Sequence, residues 1–221
     1  MTAYLHLDLV VDDFTQCGDS LMAEQSIPID GDGSIPISSL QVSECNLSDI
    51  KLFIEMTHYS HSVFGVTPEF CFRVESGKRI VGGAIFGKPA GMGVLKKYSE
   101  NGKFPCTELR RFVLADGCAR NSESKVLGVM LRMLTKKGLR RILSYADPNA
   151  GHTGIIYKAT GFKLLGKTAK RKHVMWKGKK YPDRNIHQTN FPYHLELREA
   201  LKTGEATRFE IPGKFIYLKN L

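Results

Sequence analysis

Apolar and polar residues alternate with a period of two from Tyr4 to Val11, which predicts an N-terminal strand. An irregular stretch follows, with a turn at Asp30-Gly31-Asp32-Gly33. Leu40 to Cys45 is a second strand-like run, and either Asn46 or Ser48 can cap the short helix that continues to about Glu55 or Met56. Phe70 to Val74 and Arg79 to Phe86 flank Glu75-Ser76-Gly77-Lys78 as the arms of a hairpin, in which Gly82-Gly83 marks a bulge or a close approach of backbones. Lys88 to Gly102 contains Gly, Lys and Pro and predicts a mobile surface loop.

The clearest pattern begins at Thr107. Glu108 to Leu114 reads as a strand ending at the turn Ala115-Asp116-Gly117, and Arg120 to Ser124 opens a helix. Val126, Leu127, Met130, Leu131 and Leu134 recur at helical spacing, and Lys136, Lys137 and Gly138 suit the negative end of its dipole. A strand from Leu139 to Ala146, a loop from Asp147 to Thr153, a short helix from Gly154 to Thr160 and a strand from Phe162 to Gly166 complete a β-α-β-α-β order. Its connections are long enough for parallel strands. The tail predicts a helix from Pro192 to Lys202 and an extended run from Phe215 to Leu218.

With 221 residues, 42% hydrophobic and 24% charged, the chain suffices for one domain. The expected arrangement is a core of about 40–166, an N-terminal strand extension 1–39 and a basic C-terminal extension 167–221. The net charge of +10 favours polyanionic partners, nucleic acid first among them. Much of it is concentrated between Lys163 and Arg184, where nine basic residues face one acidic residue. Lys170, Arg171, Lys172, Lys179 and Lys180 are placed to neutralise phosphates, and Trp176 and Tyr181 to stack on an exposed base; a solvated charged face is the alternative. No run approaches the roughly 18 apolar residues that span a bilayer, so a cytoplasmic protein without a membrane partner is expected. The five cysteines have wide, irregular spacing, which argues for reduced thiols rather than a disulfide framework or zinc ribbon.

Three further groups bear on chemistry. Arg120, Asn121, Ser122 and Ser124 lie at a helix N-terminus, which either binds an anion through free N–H groups or is simply capped by Asn121 or Ser122. Asp147 and His152 lie in the loop at the carboxyl end of a strand, where open α/β sheets place ligands, although Asp147-Pro148-Asn149 also suits an ordinary turn; Tyr157 is one turn into the next helix. His58 and Tyr59, with His61, combine imidazole and phenol groups that suit iron or zinc or fill a non-metal role.

Taken in order, His58-Tyr59-Ser60, Thr107-Glu108-Leu109-Arg110-Arg111, Arg120 to Ser124, Ser144-Tyr145-Ala146-Asp147 and Gly151 to Phe162 resemble the Mom family of phage DNA-modification proteins. The matching stretch runs from about His58 to Gly166, half of the chain. The family is a divergent branch of the GNAT acyltransferases, so the resemblance implies an α/β (α+β) fold, a GNAT-like mixed sheet flanked by helices. Ser122 and Ser124 stand where that fold normally has the glycines of its acetyl-CoA pyrophosphate loop, which counts against acetyl-CoA as donor. Ile156 to Phe162 fits the second GNAT signature, with Tyr157 where a proton is given to the departing group.

The resemblance further implies conversion of adenine in double-stranded DNA to a carbamoylmethyl (acetamido) form on its exocyclic amine, which shields phage DNA from host restriction. It implies a small-molecule donor and a bound iron, with His58 and Tyr59 as local ligands. Asp147 is then the proton acceptor or orienter, Tyr157 the proton donor and Arg111 the holder of a carboxamide or phosphate oxygen. Competing readings are a conventional GNAT acyltransferase acting on a protein, tRNA or small-molecule amine, and a DNA-binding protein without chemistry. Either a monomer or a homodimer is compatible with the sequence.

Overall fold

The computed structural model describes residues 28–89, 91–187 and 192–221; the expected strand at Tyr4 to Val11 lies outside them. The strands and helices in chain order are β1 (Leu40–Cys45), α1 (Leu47–Thr57), β2 (Pro68–Ser76), β3 (Arg79–Gly87), α2 (Met92–Tyr98), β4 (Cys106–Leu114), α3 (Ser122–Lys136), β5 (Arg141–Ala146), α4 (Ile155–Ala159), β6 (Lys163–Lys167), β7 (Arg171–Trp176), β8 (Lys179–Pro182), α5 (His194–Thr203), β9 (Thr207–Ile211) and β10 (Phe215–Asn220).

Seven strands form a mixed sheet in the order β1-β2-β3-β4-β5-β10-β6. β4 and β5 are parallel, and the other neighbouring pairs are antiparallel. The β-α-β-α-β order is present, but β6 does not neighbour β5. The terminal strand β10 inserts between them and is antiparallel to both, and its Tyr217 is fully buried in the main core.

α3 covers one face. The five residues picked out by their spacing, Val126, Leu127, Met130, Leu131 and Leu134, are all buried there with Phe72, Phe86, Ile142 and Tyr217. Full burial of such a side chain contributes about 1.5–3 kcal/mol. α1 covers the opposite face through Ile50 and Ile54 against Cys71 and Ile85. Its start is held by the Asp49 carboxylate, which accepts the Asn46 N–H at 2.9 Å.

The β2–β3 hairpin turns at Gly77, and its register shifts where β2 passes from Val74 to Glu75. A Cβ on Gly82 would lie 2.2 Å from the Leu114 side chain, so glycine there permits the close approach of β3 to β4.

Lys88 to Gly102 departs from the expected loop: it contains α2, whose Tyr98 packs with Cys106 and Leu143. Burial of that one aromatic stabilises a helix whose local composition predicts none.

The C-terminal stretch is also more than an extension. β8, β7 and β9 form a second, three-stranded sheet, and α5 packs on it through Leu197 and Ala200 against Val174, Trp176 and Ile186. The chain then returns to the main sheet as β10. The four described cysteines are free, and burial raises the pKa of each thiol. No described helix is long and apolar enough to cross a membrane.

Candidate active-site cleft

β4 and β5 pair only over four residues, Cys106–Leu109 against Arg141–Ser144. Beyond that point Arg111–Leu114 stay bonded to β3, and Tyr145 and Ala146 to β10. The two strands therefore part, and each presents an edge to the gap. β4 also carries a register shift at Arg110, where Ile85 faces Arg111 and Phe86 faces Leu109; such a bulge turns the strand locally. The result is a cleft of about 420 Å³ lined by Leu109–Leu114, Tyr145, Ala146, Gly151–Tyr157 and Thr57–Tyr59, with Asp116 and Glu123 at one end.

Arg111, Tyr157, His58 and Tyr59 meet in this cleft although 99 residues of sequence separate His58 from Tyr157. Arg111 donates from Nε to the Ser62 carbonyl at 2.8 Å and from Nη1 to its neighbour's carbonyl at 2.8 Å. Burial and then Arg110 push its pKa down. Tyr157 packs its ring between Phe162 and Tyr217, at 5.5 and 5.3 Å. Burial pushes its phenol up to about 12, so it carries its proton at neutral pH.

His58 is buried, and its Nδ1 lies 3.1 Å from the Ser60 N–H and 2.8 Å from the Ser60 hydroxyl. Burial, reinforced by Arg111 and His152, lowers its pKa to about 4 and keeps the imidazole neutral. Tyr59 lies between His58 and His152, with ring centroids at 4.3 and 4.9 Å and planes tilted by 33° and 56°, and burial followed by the Asp147 charge raises its pKa. Among the described residues no group of three or more His, Cys, Asp and Glu side chains converges on a point where an ion could sit. His58 and Tyr59 thus do not make a complete iron site with their described neighbours, and no step below passes through a metal.

Asp147 stands behind the cleft rather than in its lining. Its Oδ1 accepts the backbone and side-chain N–H groups of Asn149 at 3.0 and 2.8 Å. Its Oδ2 accepts from Arg171 at 2.9 Å and faces Lys214 Nζ at 3.4 Å. Burial alone would raise this carboxyl, but the Asn149 and Arg171 hydrogen bonds and the Lys214 charge outweigh it and hold the pKa at about 2. So weak a base is suited to orienting the loop and not to taking a proton.

Sequence patterns carried no sign of two further loop supports. Tyr217 is fully buried and donates its hydroxyl to the Thr153 carbonyl at 2.7 Å. Gly154 has φ 78°, and a Cβ there would lie 2.3 Å from the Tyr217 ring. Lys214 was equally hidden, since nothing local marks a lysine 67 residues downstream as the partner of Asp147.

At the start of α3, Asn121 takes the left-handed conformation, with φ 69°, and makes no side-chain cap. Ser124 bonds back to the Asn121 carbonyl at 3.0 Å, while the buried Ser122 Oγ has no hydrogen-bond partner. Arg120 and Asn121 are exposed. Asp116 and Glu123 line the adjoining end of the cleft, so an anion held by the helix N-terminus would meet two carboxylates as well as Arg120. A second cavity of about 480 Å³ lies between α3 and α4; Ser124, Lys125, Arg132 and Lys219 are among its walls.

The residues expected to contact nucleic acid divide into three groups. Lys170, Lys172, Lys179 and Lys180 are exposed. Arg171 is engaged by Asp147. Trp176 is buried at 7% exposure in the core under α5, and Tyr181 packs between it and Tyr193 at 5.9 and 4.9 Å, so stacking on a base is not open to Trp176. β7 turns Val174 and Trp176 toward α5, and this alternation buries the indole.

A sequence model of the Mom protein family matches residues 39–221. The methylcarbamoylase mom of Escherichia phage Mu is 29% identical over 122 residues, 52% of this chain and 49% of that protein; the chain spans about half the length of this curated relative. Among solved structures, an agmatine N-acetyltransferase superposes with a TM-score of 0.53 over 83% of this chain and 100% of that one, at 10% identity. The polyamine N-acetyltransferase of Drosophila melanogaster does so with a TM-score of 0.50 over 82% and 100%, also at 10% identity. These two likenesses establish the acetyltransferase fold expected from the resemblance and nothing about substrate.

Proposed function

The chain belongs to the Mom protein family, and from that premise we propose that it is a transferase converting adenine in DNA to a carbamoylmethyl (acetamido) adenine on the exocyclic amine. The observation that carries this reading is the cleft between the parted β4 and β5, which brings Arg111, Tyr157, His58 and Tyr59 together beside a strongly basic second sheet. The phage Mu relative, a methylcarbamoylase by name, supports it.

In this reading a small-molecule donor lies along the open strand edges. Arg111 binds the carboxamide oxygen of the transferred group, and Tyr157, protonated at neutral pH, donates a proton to the leaving group. Acetyl-CoA is disfavoured as donor in this reading, since Ser122 and Ser124 replace the expected loop glycines and Asp116 and Glu123 add negative charge to the cleft lining. The adenine amine has its lone pair delocalised into the ring and is a weak nucleophile. Its surplus proton leaves once the N–C bond forms and passes to solvent, since the buried His58 imidazole, with a pKa of about 4, is too weak a base to hold it at neutral pH. Asp147 acts by holding the 147–153 loop.

The exposed Lys170, Lys172, Lys179 and Lys180 supply phosphate contacts to double-stranded DNA. Modification in the host cytoplasm would shield phage DNA from restriction nucleases. Iron remains part of the proposal only as an implication of family resemblance, with His58 and Tyr59 as partial ligands.

The test is production of the protein in a bacterial host, digestion of plasmid DNA to nucleosides and mass analysis of deoxyadenosine. A species heavier by a carbamoylmethyl substituent is expected. Unmodified DNA from cells containing soluble, folded protein would reject the reading.

A further inference from the structure

Phe64 is 82% exposed and sits at the tip of the loop that joins Tyr59 to β2. A lone exposed apolar side chain needs no explanation; the placement and support of this one do. The carbonyls on either side of it are tied to the cleft. Ser62 O accepts from Arg111 Nε at 2.8 Å, and Gly65 O accepts from Arg110 Nη2 at 3.4 Å. Both arginines line the cleft.

The tip is closed on itself as well. The Phe64 N–H donates to Ser62 Oγ at 2.9 Å, the Val66 N–H donates to the Val63 carbonyl at 3.2 Å, and Gly65 turns the chain with φ 71°. A bare phenyl ring is therefore presented on a loop braced by two cleft-lining arginines, on a chain whose net charge is +10.

The reaction poses a need that this feature meets. An adenine amine inside a duplex is out of reach of the cleft, so the base must leave the stack, and the gap must be kept from closing. Proteins that open base steps do so with apolar side chains that replace lost stacking. Resting on the reading of this protein as a DNA adenine transferase, we propose that Phe64 is an intercalating wedge, which enters duplex DNA beside the target and holds the adenine extruded into the cleft. The basic sheet grips the phosphates while the ring replaces the departed base. Met92 is equally exposed, also at 82%, but lies on α2, none of whose residues lines the cleft, and serves as a control.

The test uses the full chain and duplexes taken from plasmid sequence that the wild-type protein modifies, with single adenines replaced by 2-aminopurine, which brightens on unstacking. Binding is followed by anisotropy, and modification by nucleoside mass analysis in cells. Phe64→Ala is expected to bind duplex within about threefold of wild type yet to lose at least about tenfold of the fluorescence rise and of adenine modification, since unstacking costs a few kcal/mol. Placing 2-aminopurine opposite an abasic site, where extrusion is easy, should restore the rise, as should Phe64→Trp in the paired duplex. Met92→Ala should match wild type.

Wild-type extrusion and modification in Phe64→Ala would overturn the wedge alone. So would equal losses on paired and abasic duplexes. A wild-type protein that leaves every plasmid adenine unchanged would instead remove the transferase reading, and the wedge with it.

Discussion

Asp147 and Arg171 are joined at 2.9 Å, and this bond ties the loop that follows β5 to the first strand of the second sheet. Together with Lys214 it makes the C-terminal sheet part of the support for the cleft rather than an appendage to it. DNA bound on the lysines of that sheet would be held in fixed relation to Tyr59 and His152.

The Asp147 carboxyl titrates at about 2 in the folded chain against an ordinary value of 3.8. Its folded pKa is depressed, so its stabilising contribution is complete above about pH 4 and is lost as the pH falls toward 2. The contribution is about 2 kcal/mol. Asp147→Asn should therefore have a lower urea midpoint than wild type at pH 7, and the two midpoints should converge by about pH 2. Midpoints separated by a constant amount across that range would show that the ion pairs do not act as described.

Tyr157→Phe removes one hydroxyl and leaves the ring packed against Phe162 and Tyr217. If the phenol is the proton donor, the modified fraction of adenine should fall by about 100-fold or more, as for other positioned acids. The thermal midpoint should stay within a few degrees of wild type. Near-normal modification would remove Tyr157 from the reaction.

Gly154→Ala combines a left-handed backbone with a Cβ that would lie 2.3 Å from the Tyr217 ring. A loss of at least about 2 kcal/mol is expected. Gly93→Ala, on α2 with open space around it, should lose nothing comparable. Thermal melts of the two variants decide the matter, and an unperturbed Gly154→Ala would contradict the close contact.

Replacing Lys172, Lys179 and Lys180 by Ala should weaken duplex binding without regard to sequence and reduce the slope of log K against log salt by about 3, about one for each phosphate that is no longer neutralised. Trp176→Ala should instead destabilise the second sheet by about 3–5 kcal/mol, the cost of emptying a core aromatic. Trp176→Phe should preserve DNA binding, and selective loss of binding without loss of stability in that variant would restore a stacking role to the indole.

Local pattern was enough for much of the architecture. The strand-like run at Leu40–Cys45, the hairpin arm Arg79–Phe86 and the helical spacing of Val126 to Leu134 appear as β1, β3 and α3, the last because a helical period states which side must leave water. Order along the chain likewise singled out His58, Arg111 and Tyr157, which line one cleft, and Asp147, which stands behind it. Their division of labour was not legible. Asp147 is held acidic by the adjacent Asn149 and also by Arg171 and Lys214, which are 24 and 67 residues away, and a pKa follows from neighbours in space.

The lysines announced their exposure by charge, whereas Trp176 could be assigned to a core only once β7 had been laid under α5. The same holds for β10: a short strand with an apolar run from Phe215 to Leu218 can pair with any compatible edge. Its insertion between β5 and β6 was settled by tertiary packing, because a period of two specifies the face a side chain takes and leaves the choice of partner to the fold.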